Sequence, residues 1–364
     1  MKIKCTKDTL LEATLKVMGA VGSSTISALE GILFSAASGY LTITGYNLEM
    51  GITTAVKAQV DQGGQVVLNA KYFSDIIKKA PADIIEIDID EKLICTIKAG
   101  KSKFSIIGIA PEEYPELPAV ADGKIVEIEG NILSSLIRKV RFAIAKNNEY
   151  PIYTGMLFEV EENQISAVAL DGCKVAVSKE VIKNNENVKF VIPEKSVNEI
   201  SKLAEGVEEK IRISVGDRHV IFEIGHYLFI TRLISGEFMN YKDVMKRVNT
   251  TFAKVSVNDF YAMADRVALL INDRAKTYVK CIFDDNSVRL SCNSAIGSAD
   301  DNIEAEIKGD RVEIGFNAQF LIDAFRSVPT DEVMIELKDQ NSPIKIRPLE
   351  GDEFSYLILP TRLI

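Results

Sequence analysis

The sequence predicts an α+β fold in which two helices lie on a mostly antiparallel sheet, and it predicts three tandem copies of that unit. Three observations carry the prediction. The first is internal repetition. KDTLLEATLKVMGAVG, GNILSSLIRKVRFAIA and SVNDFYAMADRVALLIND each lead into paired β-rich segments, and VVLNAKYFSDIIKKAPADIIEIDI, KFVIPEKSVNEISKLAEGVEEKIRISV and RVEIGFNAQFLIDAFRSVPTDEVMIEL each give a second strand–helix–strand passage. The period is about 120 residues, a small domain rather than a solenoid repeat. The second is that apolar spacing switches between a helical period and strict alternation. The third is length: 364 residues exceed one compact core and suit two or three domains.

Taken in order, the helical windows are 7–20, 70–80, 131–147, 194–206, 257–274 and 317–328. In 131–147, Leu133, Leu136, Ile137, Val140 and Ile144 form one apolar stripe, with Arg138, Lys139, Arg141 and Lys146 expected to project away from it. Asn69 and Asn317 cap the second-half helices, and Pro81, Pro193 and Pro329 sit at or just beyond helix edges. Ile85–Ile87–Ile89, Leu93–Cys95–Ile97, Ile211–Ile213–Val215 and Val220–Phe222–Ile224 alternate as strands. Ser38-Gly39, Glu161-Glu162-Asn163 and Asp284-Asp285-Asn286 read as hairpin turns. Polar or proline-rich joins near Pro115–Gly123 and Lys246–Lys254 set the expected domains at 1–120, 121–246 and 247–364.

The net charge of −9 argues against a polyanion partner, but its distribution argues for one. The six helical windows together carry +4, which leaves −13 on the rest of the chain. A positive helical face on an acidic body suits nucleic acid; a chance bias of window edges is the alternative. Five scattered cysteines without a CxxC pair, mostly in strand-like runs, read as small buried hydrophobes in a reducing compartment. No apolar run is long enough to span a bilayer and the opening stretch has no signal-peptide core, so a cytoplasmic protein is expected.

Catalysis is poorly supported. The two histidines, His219 and His226, lie in one hairpin, the sequence shows no partner carboxylate or cysteine in a shared cleft, and they read as structural or surface groups. Asp171-Gly172-Cys173-Lys174 reads as a glycine turn rather than an activated thiol. No phosphate-cradling glycine loop or metal-spaced carboxylate set is present, so no catalytic residue, metal or cofactor is expected. The end of the chain, Ser355 to Ile364, is apolar almost throughout, which suits either a last core strand or the wall of a groove.

The repeats, Gly155-Met156-Leu157-Phe158-Glu159, Ala169-Leu170-Asp171-Gly172, Asn47-Leu48-Glu49-Met50, Ala110-Pro111-Glu112-Glu113-Tyr114-Pro115 and Leu359-Pro360-Thr361-Arg362-Leu363 closely resemble the bacterial DNA polymerase III β subunit, the replicative sliding clamps. The resemblance runs the whole chain in order. It implies DNA-clamp domains in a head-to-tail homodimer that closes into a six-domain ring around double-stranded DNA, without sequence preference and with no chemistry of its own. It implies a cytoplasmic, nucleoid-associated protein whose partners are a polymerase III α subunit or PolC-type polymerase, the clamp-loader δ subunit, and other polymerases and repair proteins. They bind through a groove lined by Tyr153, Leu170, Gly172, Cys173, Lys174, Val175, Met239, Val244, Pro343, Leu357, Ile358, Leu359, Pro360, Thr361 and Arg362. DNA contact is implied for Lys78, Lys79, Arg138, Lys139, Arg141, Lys146, Tyr150 and Tyr153, although each lysine and arginine is equally at home on a solvated face. The dimer seam is implied at Ile76, Ala80, Phe104 and Ile106 on one side and Leu270 and Ile271 on the other, all of which also suit a core. The chain departs from the family pattern at Cys173-Lys174, Met239 and Asp243, which bears on peptide preference, and at Ser23–Leu29, where a basic residue is usual. A diverged paralogue that binds partner peptides without encircling DNA is the alternative; an enzyme with a site between domains is a weaker rival.

Overall fold

The computed structural model describes residues 1–120, 123–147, 149–271 and 278–362. They fall into two compact units, Met1–Leu133 with Asn198–Leu233, and Ser134–Val197 with Ile234–Ile364.

The first unit carries helices α1 (Lys7–Val17) and α2 (Ala70–Lys79) and two antiparallel sheets. One sheet has five strands, in spatial order Gln59–Gln62, Lys2–Thr6, Ile84–Ile89, Ile94–Ala99 and Ser102–Ile107. The other has eight: Lys124–Glu129, Lys210–Val215, His219–Ile224, Tyr227–Arg232, Met50–Lys57, Tyr40–Tyr46, Gly31–Ala37 and Gly64–Asn69. Its middle seam pairs Tyr227–Arg232 with Met50–Lys57, so strands of two sequence repeats share one sheet. The alternating residues face inward as expected: Ile85, Ile87 and Ile89 pack with Cys95 and Ile97, all buried. Leu93 departs from the expected strand. It sits at φ 61° in the turn, where its carbonyl accepts the Gly108 N–H at 2.8 Å.

Helices α3 (Gly130–Val140) and α4 (Glu194–Ala204) each have residues in both units. The window 131–147 is not one helix. After Val140 the chain tightens into a 3₁₀ turn, Arg141–Ala143, and becomes extended at Ile144. The turn directs Phe142 edge-on against Tyr356, with centroids 5.1 Å apart, and the Ala145 N–H then donates to the Tyr153 carbonyl at 3.1 Å. These contacts replace the helical bonds lost.

The second unit carries α5 (Tyr241–Met245), α6 (Val257–Ala268) and α7 (Ala318–Ser327). Its nine-stranded antiparallel sheet runs Val188–Pro193, Gly155–Glu161, Gln164–Leu170, Lys174–Val181, Phe354–Ile358, Ile344–Arg347, Glu332–Leu337, Thr251–Ser256 and Glu306–Lys308. A four-stranded sheet runs Gly297–Glu304, Ser287–Ser294, Val279–Asp284 and Val312–Phe316. α6 and α7 meet through stacked Phe260 and Phe325, 3.9 Å between centroids. The predicted end of α6 beyond Ile271 lies outside the described residues.

The capping reading holds. Asn69 accepts the Tyr72 N–H at 3.1 Å, Asn317 that of Gln319 at 2.9 Å, and Ser256, not anticipated, that of Asp259 at 3.3 Å. The three hairpin turns sit where expected, with Ser38, Glu162, Asp285 and Asn286 at positive φ. Cys5, Cys95, Cys281 and Cys292 are buried, and burial pushes the Cys95 thiol up to about 12. Cys173 differs: it is exposed in the turn.

Candidate peptide-binding groove and charged helix face

Register places a graded surface on one face of the nine-stranded sheet. Leu170, Val175 and Leu357 form one row; Leu157, Val168, Val177 and Ser355 the next; Glu159, Ser166 and Lys179 the third; Glu161 and Gln164 the last. The face therefore passes from aliphatic to charged. Over its aliphatic end lie Phe238 and Tyr241, buried, and Tyr153, Met239, Val244 and Met245, half-buried. Tyr153 meets Phe238 edge-on at 5.5 Å and Tyr150 at 5.9 Å.

The cover is held from below. The Tyr241 hydroxyl donates to Glu159 Oε2 at 2.6 Å, and the same carboxylate takes Lys242 at 3.0 Å and Lys189 at 3.6 Å. Burial pushes the Glu159 carboxyl up, but the bonds from Tyr241 and Lys242 and the two lysine charges outweigh it and hold it below its ordinary value. Burial, with the bond to Glu159, raises the Tyr241 phenol far above its ordinary value.

The expected groove residues divide by strand parity. Leu170, Val175 and Leu357 form the floor, and Tyr153, Met239 and Val244 the rim. Gly172, at φ 87°, turns with nothing where a Cβ would stand, and Asp171 Oδ1 accepts the Cys173 and Lys174 N–H groups at 3.0 and 2.9 Å. Leu359 is 42% exposed and donates its N–H to the Cys173 carbonyl at 2.8 Å; Thr361 donates to Gly315 at 2.8 Å. Pro343 is buried just before Ile344, which pairs with Ile358. Pro360 is half-buried and Arg362 exposed. Two expectations are corrected. Lys174 and Ile358 pair with each other and alternate away from Val175 and Leu357, so they face the opposite side of the sheet. There the Lys174 ammonium bonds Asp171 and lies 4.4 Å from the Phe320 ring of α7.

Of the cations expected to meet DNA, Lys78 and Lys79 are exposed in the last turn of α2, and Arg138, Arg141 and Lys146 are exposed. Tyr150 is 64% exposed. Lys139 is corrected: it is 5% exposed and paired with Glu180 at 2.8 Å, because its position turns it under the helix toward the neighbouring strand. Among the expected seam residues, Ile76, Phe104, Ile106, Leu270 and Ile271 are half-buried, while Ala80 is 3% exposed and offers no surface. Phe104 and Ile106 lie on Ser102–Ile107, an edge strand, beside Ile107 at 81% exposure. Leu269 at 77% and Ile296 at 69% are comparably exposed in the second unit.

His219 is half-buried opposite Arg232, and burial together with Arg232 and Arg218 lowers its pKa from 6.5. His226 is exposed, its ring 4.2 Å from that of Tyr227. No cluster of three metal-ligating side chains occurs among the described residues.

Comparison with known proteins matches the chain in order to the DNA polymerase III beta subunit: its N-terminal domain at residues 1–118, its central domain at 127–240 and its C-terminal domain at 242–362. The beta sliding clamp of Staphylococcus epidermidis is 29% identical over 366 residues, covering 97% of this chain and 96% of that relative. Among solved structures, the DNA polymerase sliding clamp of Bacillus subtilis superposes with a TM-score of 0.97 at 28% identity. The DNA polymerase III beta subunit of Thermotoga maritima gives 0.92 at 26%. In both cases all of each chain is covered.

Proposed function

The chain belongs to the DNA polymerase III beta subunit family, and from that premise we propose that it is a sliding clamp: a homodimeric ring that encircles duplex DNA and tethers the replicative polymerase. The observation that carries the reading is the ordered match of all three domains across the chain, for which we take the limits 1–120, 121–246 and 247–364. The clamp has no catalytic site or cofactor of its own and works in the cytoplasm on the nucleoid.

DNA is held by topology and only loosely by charge. Arg138, Arg141, Lys146, Lys78 and Lys79 make phosphate contacts, with Tyr150 and Tyr153 close by; such contacts alone would be strongly salt-dependent. The uncharged stretch Ser23–Leu29 adds none. The polymerase, the δ subunit of the loader and repair proteins share the groove over Leu170, Val175 and Leu357, which takes the Leu/Phe end of a short peptide. Protomers join through the edge strand Ser102–Ile107 with Ile76 on one and the region of Leu270 and Ile271 on the other. Exposed apolar side chains support this: Ile107 on the first edge, and Leu269 beside Leu270 on the other side.

The test is retention of protein, placed on DNA by its loader, on nicked-circular and linearised DNA in high salt. Retention on circles with loss from linear ends is expected. Equal loss from both, with the loader active on a control clamp, refutes encirclement and leaves a peptide-binding paralogue.

A further inference from the structure

At the charged end of the same sheet face, beyond α5, lies a cavity of about 360 Å³ that the groove does not use. Five cations reach it, Lys179, Lys242, Lys246, Lys345 and Arg347, against two carboxylates, Glu161 and Asp352. An excess of positive charge on a chain of net −9 is a local arrangement, not a property of the whole surface.

The carboxylates nearby are already engaged. Glu161 takes Lys242 with both oxygens, at 2.9 and 2.8 Å, and Asp352 takes Lys179 at 2.6 Å. Glu336, opposite Lys345 in register, has one oxygen on Arg347 at 2.6 Å and the other on Asn249 at 3.0 Å. Lys345 is thus left without an ion-pair partner among the described residues, and Lys246 has only Asp243 at 3.9 Å. Val177 and Met245 supply an apolar floor. Cations beside an apolar floor suit a carboxylate on a short aliphatic stem.

Val177, Tyr241 and Met245 belong both to this cavity and to the groove cluster, so the two are continuous around α5. We propose that the cavity is an acidic subsite of the groove: it receives an Asp or Glu side chain flanking the apolar end of a bound partner peptide, and so selects among partners by charge. This rests on the groove reading above and adds a determinant to it.

The test uses three peptides sharing one Leu-Phe end: one with neutral flanks, one with two glutamates before that end and one with two glutamates after it. Binding to the full-length protein is measured by fluorescence anisotropy at low and physiological salt. One acidic peptide is expected to bind about tenfold more tightly than the neutral one at low salt, the effect of two partly screened ion pairs. The advantage should shrink with salt and vanish in Lys246→Glu/Lys345→Glu, which changes neither floor nor rim and leaves neutral-peptide binding intact. Equal binding of all three peptides overturns the proposal, as does an acidic preference that survives the double variant. Saturable binding of inorganic phosphate in the cavity without an acidic-peptide preference would assign it to a free anion and also overturn the proposal. Failure of every peptide to bind refutes the groove reading itself.

Discussion

Replacing Tyr241 with phenylalanine isolates what holds the groove cover in place. α5 is five residues long, far too short to persist on its own helical bonds, so its position depends on its anchors. The main polar anchor is the Tyr241 hydroxyl on Glu159, at 2.6 Å, under a ring that is 4% exposed. A hydrogen bond to a charged group is worth ~1.5–3 kcal/mol. Lys242 and Lys189 remain on the carboxylate in the variant, so the lower figure applies, about tenfold in the equilibrium between closed and open cover. Amide hydrogen exchange of residues 241–247 should accelerate by about that factor, while strand Gly155–Glu161 is unaffected. A groove peptide should weaken by a similar factor, because Val244 and Met245 move with the helix. Acid should reproduce the effect in the unmodified protein. The folded carboxyl titrates below its ordinary 4.5, so its contribution is complete above that value and is lost as pH falls through the lower, folded one. In a double-mutant cycle with Glu159→Gln, Tyr241→Phe should cost much less in the second background. Unchanged exchange in 241–247 alongside weakened peptide binding would refute the anchoring argument and make Tyr241 a direct contact instead.

Four further outcomes rest on the placement of particular side chains. Arg138→Glu/Arg141→Glu/Lys146→Glu should sharply lower retention on circular DNA, whereas Lys139→Ala should leave retention unchanged and lower stability in urea unfolding. Its Glu180 partner stays 28% exposed, so the loss is about 1–2 kcal/mol rather than that of a fully buried pair. His219 is held neutral by a pKa below 6.5, so its contribution is present above that value and is lost as pH falls; His219→Gln should flatten the stability profile between about pH 7 and pH 5. Phe104→Asp/Ile107→Asp, on the exposed edge strand, should yield monomers in sedimentation while each keeps its circular dichroism spectrum; an unchanged dimer would refute the seam.

What was legible in the sequence was periodic or local. Alternation gave the strands, Asn69 and Asn317 gave their caps, and the three turns gave the hairpin register, because each is decided within a few residues. Contiguous runs misled where parity mattered. Reading 172–175 and 357–362 as groove lining put Lys174 beside Val175 and Ile358 beside Leu357, although neighbouring side chains of a strand face opposite sides. Lys139 failed for a tertiary reason: its partner Glu180 is 41 residues away, on a strand whose pairing no local pattern reports. The Tyr241–Glu159 bond spans 82 residues and was missed altogether. One signal for it was present. Glu159 and Glu161 occupy the same face as Leu157, and a face that turns from aliphatic to acidic within one strand marks the place where something other than core must cover it.

The repeats and the compact units do not coincide, and hydrogen bonding explains why. Each sequence repeat ends its sheet with unpaired strand edges, which are costly to leave bare and prone to unwanted pairing. The first repeat pairs its edge at Met50–Lys57 with Tyr227–Arg232 of the central one, and the third pairs Phe354–Ile358 with Lys174–Val181. The central repeat is thus divided between two sheets, completing each. The second seam has a further consequence. Leu357 and Ser355 come to lie beside Val175 and Val177 only because the last strand crosses to the central repeat, so the groove floor and the cationic cavity are products of joining two repeats. No single repeat contains either. Substitutions that loosen this strand pair should therefore act directly on partner binding.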